Sequence, residues 1–177
     1  MKRAAYLTVF LFAMAPALAP AHAGELFGGV YVHDVKLPTD LSGIEGGTDL
    51  MLGYRGGTIA KPLGASLQPY IFGALNTSGE TNYAAVGLSA KFGLGKAIYI
   101  RPGLGLAIHS GSAGQFFRRD KIAFGSRVLF EPELGIGTRI NDHLSVEASW
   151  VHMSHATLFS GENPGIDNLG MRLNLAL

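Results

Sequence analysis

The feature that most constrains the fold is a strict alternation of apolar with polar or small residues along extended segments. In the segment AIYIRPGLGLAIH, residues 97–109, every second side chain is apolar: Ile98, Ile100, Pro102, Leu104, Leu106 and Ile108. The residues between them are tyrosine, arginine, glycine, alanine and histidine. Successive side chains of a β-strand point to opposite faces of the sheet, so this period of two predicts strands with one apolar face.

Segments of this kind recur along the chain, separated by stretches rich in glycine, proline, asparagine, aspartate and serine, which are typical of turns. We predict strands at residues 26–35, 48–56, 68–76, 83–92, 97–109, 122–140, 143–156 and 168–177. Eight antiparallel strands close into a barrel just wide enough for side chains to fill it. The sequence therefore predicts an all-β, eight-stranded antiparallel barrel.

Alternation alone does not say whether the apolar face lies inside or outside. A soluble secreted barrel of the lipocalin type would bury it, whereas an outer-membrane barrel would turn it to lipid. The predicted sixth strand has about nineteen residues, far more than strands of soluble sheets usually have. Charges of both signs could pair across a lumen: Lys91, Arg101, Arg127, Glu131, Glu133 and Arg139. We therefore favour a transmembrane β-barrel of the outer membrane with its apolar residues outward.

The N-terminal segment predicts export. Residues 1–23 combine Lys2 and Arg3 with an apolar run and an AHA ending, as secretory signal peptides do. Residues 24–177 then form the barrel, and they contain no apolar run of about 18 residues such as a spanning helix needs. The chain has no cysteine and a formal net charge of +1, so neither a disulfide framework nor a nucleic-acid partner is indicated.

The segment WVHMSHA, residues 150–156, places a histidine and a serine on the predicted lipid-facing side of the seventh strand. A spanning strand needs about 9 to 11 residues, so His152 and Ser154 arrive near the outer leaflet. Matching apolar residues between the last two strands sets Asp167 opposite His152. Serine, histidine and aspartate together suit ester hydrolysis. The histidine–serine pair alone is weak evidence, because polar residues at a barrel rim also bind headgroups or water.

Three motifs within residues 129–177 resemble the C-terminal half of the outer-membrane lipid A 3-O-deacylases, the PagL family. They are Gly135-Ile136-Gly137, His152-Met153-Ser154-His155-Ala156 and Asn163-Pro164-Gly165-Ile166-Asp167. The resemblance implies an eight-stranded barrel in the outer membrane of a Gram-negative bacterium, with its site toward the outer leaflet. It also implies hydrolysis of the ester-linked acyl chain at position 3 of lipid A.

Carried over residue by residue, the resemblance implies Ser154 as nucleophile, His152 as base and Asp167 as acid. Backbone N–H groups of residues 155–157 would then be available to the oxyanion. The supporting or oxyanion-binding residues implied in this way are Asn163, His155 and Ala156.

The chain departs from the family pattern at two positions. Family members typically have glutamate as the acid and asparagine after the serine, whereas this chain has Asp167 and His155. Glu162 is a second candidate acid, ranked lower because it lies in the loop rather than in the matched segment. The alternative function is a catalytically inactive small barrel with a structural or adhesive role, in which His155 marks decay of the site.

The loop QFFRRDK, residues 115–121, offers weaker candidates for substrate contacts. Arg118 and Arg119 could bind lipid A phosphates and Phe116 could anchor at the interface, although an ordinary basic loop tip explains them as well. No residue spacing predicts a metal site, and no cofactor is predicted. The predicted partners are lipopolysaccharide and outer-membrane lipids, and a homodimer is left open.

Overall fold

The computed structural model describes residues 24–37, 43–114, 121–158 and 164–177. The strands are β1 (Glu25–Val32), β2 (Thr48–Arg55), β3 (Ser66–Asn76), β4 (Tyr83–Leu94), β5 (Ile98–His109), β6 (Val128–Arg139), β7 (Leu144–Met153) and β8 (Ile166–Ala176). Each strand pairs antiparallel with the next, and β1 pairs with β8, so the sheet closes into a barrel. The predicted number and order of strands are confirmed. No helix within these ranges is long and apolar enough to cross a membrane.

Apolar side chains cover the outside of the barrel. Along β5, Leu104, Leu106 and Ile108 are 60%, 50% and 62% exposed, whereas Arg101 on the opposite face of the strand is fully buried. A soluble barrel would bury the leucines and expose the charge. The opposite arrangement is that of a transmembrane barrel, so the prediction of an outward apolar face is confirmed.

Charged side chains fill the lumen and pair with one another. Arg172 donates from Nε to Glu147 Oε1 at 2.6 Å and from Nη1 to Glu133 Oε2 at 2.7 Å. Arg55 Nη2 donates to the other oxygen of Glu133 at 3.2 Å. A buried charge is costly unless it is paired and hydrogen-bonded, so this network ties together strands from different sides of the barrel.

Three of the six predicted lumen charges are buried in the lumen. Arg101, Glu131 and Glu133 are buried in the lumen as expected. Arg127 is a correction, because it lies in the loop after β5 and its guanidinium donates to the carbonyl of Gly111 at 2.7 Å. Of the remaining two, Lys91 is half-buried and Arg139 is exposed.

The sixth strand is shorter than predicted. β6 begins at Val128, so residues 122–127 belong to the preceding loop. The alternation within the predicted strand 122–140 puts Ile122 and Phe124 on its apolar, lipid-facing side, but they are buried in the core cluster of the barrel. Gly125, with φ of +70°, ends the extended run between them and β6. The loop therefore continues the apolar alternation without continuing the strand.

Glu45 joins three outer loops above the lumen. Its Oε1 accepts a hydrogen bond from the Ile122 N–H at 3.0 Å, and its Oε2 accepts one from the Thr81 N–H at 3.0 Å. Its Oε2 also lies 3.2 Å from His33 Nε2, and the other ring nitrogen of His33 is 2.9 Å from the Asp49 carboxylate. We call this group the loop clasp; it consists of His33, Glu45, Asp49, Thr81 and Ile122.

The loop clasp perturbs two titratable groups. Burial disfavours the charged imidazolium of His33, but hydrogen bonds to Asp49 and Glu45 and their negative charges outweigh burial and raise its pKa to about 9. Burial also disfavours the charged form of Glu45, but hydrogen bonds from His33 and from two backbone N–H groups outweigh it and lower the Glu45 pKa to about 2.

We expect the barrel to lose thermal stability in alkali as the clasp weakens. The contribution of His33 is complete below its ordinary pKa of 6.5 and is lost as the pH rises through about 9. The contribution of Glu45 is complete above its ordinary pKa of 4.5 and is lost only as the pH falls through about 2. The temperature at which the barrel loses its folded gel mobility should therefore fall between near-neutral and strongly alkaline buffer.

His33→Gln should reduce this pH dependence, because the titrating group is then absent. The matched control is His143→Gln, which removes an exposed histidine in the turn between β6 and β7. If His33→Gln kept the full alkaline loss of stability, His33 would not be its origin.

Candidate active site

β7 and β8 carry the candidate site at their outer ends. His152 lies opposite Asp167 in the ladder, and Trp150 lies opposite Leu169. The register continues with pairs of apolar residues: Ala148 with Met171, Val146 with Leu173 and Leu144 with Leu175. The register predicted from apolar matching is confirmed. His152 and Asp167 share the parity of these residues, which places them on the lipid-facing side.

The Asp167 carboxylate lies behind the imidazole of His152. Asp167 Oδ1 is 3.0 Å from His152 Nδ1. Asp167 is fully buried although it lies on the outward-facing side of β8, whereas the His152 side chain is 20% exposed. A carboxylate at Nδ1 fixes the tautomer that carries its proton there and leaves Nε2 as an acceptor. The pair therefore has the arrangement of a general base with its orienting acid.

Trp150 is the third member of this cluster, and its part in the site was not predicted from the sequence. Its indole N–H donates to Asp167 Oδ1 at 2.6 Å, and its ring lies 5.8 Å from the His152 ring at an angle of 26°. The sequence does place Trp150 two residues before His152 on the same strand, which puts both side chains on one face of the sheet.

Ser154 lies one residue beyond the end of β7, in an isolated bridge with Phe130 of β6. The Ser154 N–H donates to the Phe130 carbonyl at 3.1 Å, and the Phe130 N–H donates to the Ser154 carbonyl at 2.7 Å. The residue is only 9% exposed. Among the hydrogen bonds of the described residues, none joins Ser154 Oγ to His152. The structure thus brings base and acid into contact and leaves the hydroxyl of the predicted nucleophile without a bond to the base.

The chain turns sharply directly after Ser154. The Leu158 N–H donates to the His155 carbonyl at 3.0 Å, and the two central residues, Ala156 and Thr157, have φ of +52° and +59°. Two central residues with positive φ are characteristic of a type I′ turn, which favours asparagine and glycine. Left-handed backbone in a β-branched residue is strained, and such strain clusters at functional sites.

Comparison with known proteins identifies the family. The sequence model of the lipid A 3-O-deacylase (PagL) family matches residues 39–176. The chain belongs to this family. It is therefore a carboxylic-ester hydrolase of the outer membrane, as the resemblance implied. Among curated protein sequences no match was found.

Solved structures with the same architecture are transmembrane barrels. The outer membrane enzyme PagL superposes with a TM-score of 0.60 at 19% identity, covering 86% of this chain and 99% of that one. A de novo designed transmembrane β-barrel gives 0.56 at 8% identity, covering 90% and 98%. Neisserial surface protein A gives 0.52 at 10% identity, covering 87% and 97%. At these identities the likeness shows the fold alone, and it confirms the predicted fold class.

Several predicted residues of this PagL-family chain lie outside the described residues, so their roles stay predictions. They are Phe116, Arg118 and Arg119 in the basic loop, Asn163 and the alternative acid Glu162. The predicted signal peptide, residues 1–23, also lies outside them. Within the part of the chain that the structure describes, no group of three or more histidine, aspartate or glutamate side chains could hold a metal ion.

Gly165 packs against the predicted base. A Cβ built on this residue would lie 2.9 Å from His152 Cε1 and 3.5 Å from Nε2, and its φ is +62°. A side chain here must displace either the imidazole or the backbone that leads into β8. Glycine is therefore required both by the contact and by the conformation.

We expect Gly165→Ala to insert as a folded barrel and to lose about 100-fold in the rate of lipid A deacylation, because a displaced base costs that much. The assay is release of the acyl chain from lipid A by purified protein in detergent micelles. Gly79→Ala is the matched control, since Gly79 also has a positive φ, of +79°, but its Cβ would meet nothing within 4 Å. Equal losses in the two variants would mean that backbone strain, not the contact with His152, sets the effect.

Proposed function

We propose that this chain is a serine esterase that removes the ester-linked acyl chain at position 3 of lipid A. Ser154 is the nucleophile, His152 the general base and Asp167 the acid that orients the imidazole. The observation that carries the proposal is the 3.0 Å contact between His152 Nδ1 and Asp167 Oδ1 on the lipid-facing side of the barrel. Ionisable groups within a membrane are costly and usually functional. An acid–base pair turned toward lipid suits a substrate that is itself a membrane lipid.

The chemistry follows from these atoms. Ser154 Oγ attacks the carbonyl carbon of the ester, and its proton passes to His152 Nε2 while Asp167 stabilises the imidazolium. The bond from the acyl carbon to the sugar oxygen then breaks, and the sugar hydroxyl leaves with the proton from His152. Water, activated by the same imidazole, hydrolyses the acyl-serine to release the fatty acid and restore the enzyme.

The strained turn offers donors for the oxyanion. Ala156 and Thr157 are both exposed, and among the described residues neither backbone N–H donates a hydrogen bond to another group. Preorganised N–H groups of this kind are what an oxyanion hole needs. The His155 side chain is fully buried, so its proposed contribution to the oxyanion hole rests on its backbone N–H rather than on its imidazole.

The absence of a Ser154–His152 bond within the described residues is compatible with both candidate functions. Bonds between nucleophile and base are often long or misaligned without substrate and tighten in the Michaelis complex. The alternative, a catalytically inactive barrel with a structural or adhesive role, would lack the bond as well. Direct measurement of deacylation separates the two.

The test is mass spectrometry of lipid A from cells that express the wild type, Ser154→Ala or His152→Ala. We expect the wild type to remove one 3-linked acyl chain and each variant to lose activity by about 1,000-fold or more, because members of such a triad act as a unit. Ser149→Ala is the matched control, since this serine lies on the same strand with its side chain toward the lumen.

Each variant must first show the heat-dependent gel mobility of a folded barrel. Unchanged lipid A with a folded wild-type barrel would favour the inactive alternative. Full deacylation by folded Ser154→Ala would refute the serine mechanism while leaving the family activity intact.

A further inference from the structure

We propose that Trp150 is a positioning residue, whose indole N–H holds the Asp167 carboxylate against the imidazole of His152. This inference rests on the proposed function of these residues as a catalytic acid and base. It adds to that function a residue that determines how the acid is oriented and kept ionised beside lipid.

The geometry favours a direct role for the indole. Trp150 Nε1 and His152 Nδ1 both reach the same oxygen, Asp167 Oδ1, at 2.6 and 3.0 Å. The indole N–H can only donate a hydrogen bond, whereas a serine hydroxyl or a side-chain amide can also accept one. Hydrogen bonds to an ionised acceptor are short and roughly twice as strong as neutral ones. The indole therefore stabilises the charged, correctly oriented form of the acid.

The strand register explains how the indole reaches the carboxylate. Trp150 lies opposite Leu169, so Asp167 is its diagonal neighbour on the same outward face. Diagonal neighbours in an antiparallel pair are within reach of aromatic side chains. The Trp150 ring also lies nearly parallel to the His152 ring, at 26°, which restricts the rotation of both.

The environment of Asp167 explains why an added donor matters. The residue is fully buried on the face that meets lipid, where water does not supply hydrogen bonds. A buried carboxylate without donors would take up a proton, and a protonated acid would no longer stabilise the imidazolium. Trp150 supplies a donor and covers the acid with an apolar ring at the same time.

An alternative role for Trp150 is that of an ordinary aromatic anchor at the membrane interface. The two roles predict different kinetics. An anchor affects insertion or substrate access, whereas a positioning residue affects the chemical step.

The first test is the steady-state kinetics of Trp150→Phe on lipid A in detergent micelles. Phenylalanine keeps an apolar ring and removes the N–H. We expect kcat to fall about 10- to 100-fold with KM unchanged, as for the loss of a hydrogen bond to a charged group. Tyr54→Phe is the matched control, because it removes the polar group from an exposed aromatic residue on β2 and should leave kcat unchanged.

A double-mutant cycle tests the route of the effect. If the indole acts through the carboxylate, Trp150→Phe should have a much smaller effect on kcat in an Asp167→Asn background than in the wild type. Equal effects in the two backgrounds would overturn the proposal. Wild-type kcat in folded Trp150→Phe would overturn it too, while loss of activity in Ser154→Ala would show that the proposed function still stands.

Fluorescence provides a measurement that needs neither activity nor a Trp150 variant. The chain contains a single tryptophan, so its emission reports on this site alone. The stacked imidazole of His152 forms part of the immediate surroundings of the indole, so we expect the emission spectrum of Trp150 to change in His152→Gln. Identical emission spectra of folded wild type and folded His152→Gln would contradict the stacked arrangement on which the proposal depends.

Discussion

Closure of the backbone hydrogen-bond ladder is the constraint on which the rest of the structure depends. In hydrocarbon every backbone N–H and C=O must find a partner within the protein, so a sheet can span the membrane only as a closed barrel. Closure fixes the register of all the strand pairs, including β7 with β8. A slip of one residue moves every side chain of a strand to the other face. The same register that turns Leu173 and Leu175 to lipid therefore also delivers Asp167 to His152.

The loop between β1 and β2 adds a second constraint on the position of Asp167. The Val35 N–H donates to the Asp167 carbonyl at 2.7 Å, and the Asp34 N–H donates to Asn168 Oδ1 at 3.0 Å. The carboxylate of Asp34 in turn accepts the N–H of Glu45 at 2.8 Å, which links this segment to the loop clasp. The outer end of β8 is thus held by the loop that follows β1, and the position of Asp167 depends on loop order as well as on strand pairing.

Features that depend on matching the apolar faces of neighbouring strands were predicted well from the sequence. Pairing of β7 with β8 was predictable because each apolar residue, such as Leu144 or Trp150, had a matching partner on the other strand. The bounds of β6 were not, because Ile122 and Phe124 are apolar for a different reason. They pack into the mouth of the barrel, and apolar alternation does not distinguish that environment from lipid. The role of Trp150 was missed because a count of apolar residues ignores the polar N–H of indole.

The residues of the candidate site are held in place by two kinds of structure that differ in rigidity, paired strands and a turn. His152, Asp167 and Trp150 all lie on paired strands, so the ladder sets their distances. Ser154 lies beyond the end of β7 and forms an isolated bridge with Phe130, followed by a turn with two left-handed residues. Opening of a barrel's loops requires fewer hydrogen bonds to break than separation of its strands. Changes in the outer loops should therefore alter the position of Ser154 more readily than the contact between His152 and Asp167.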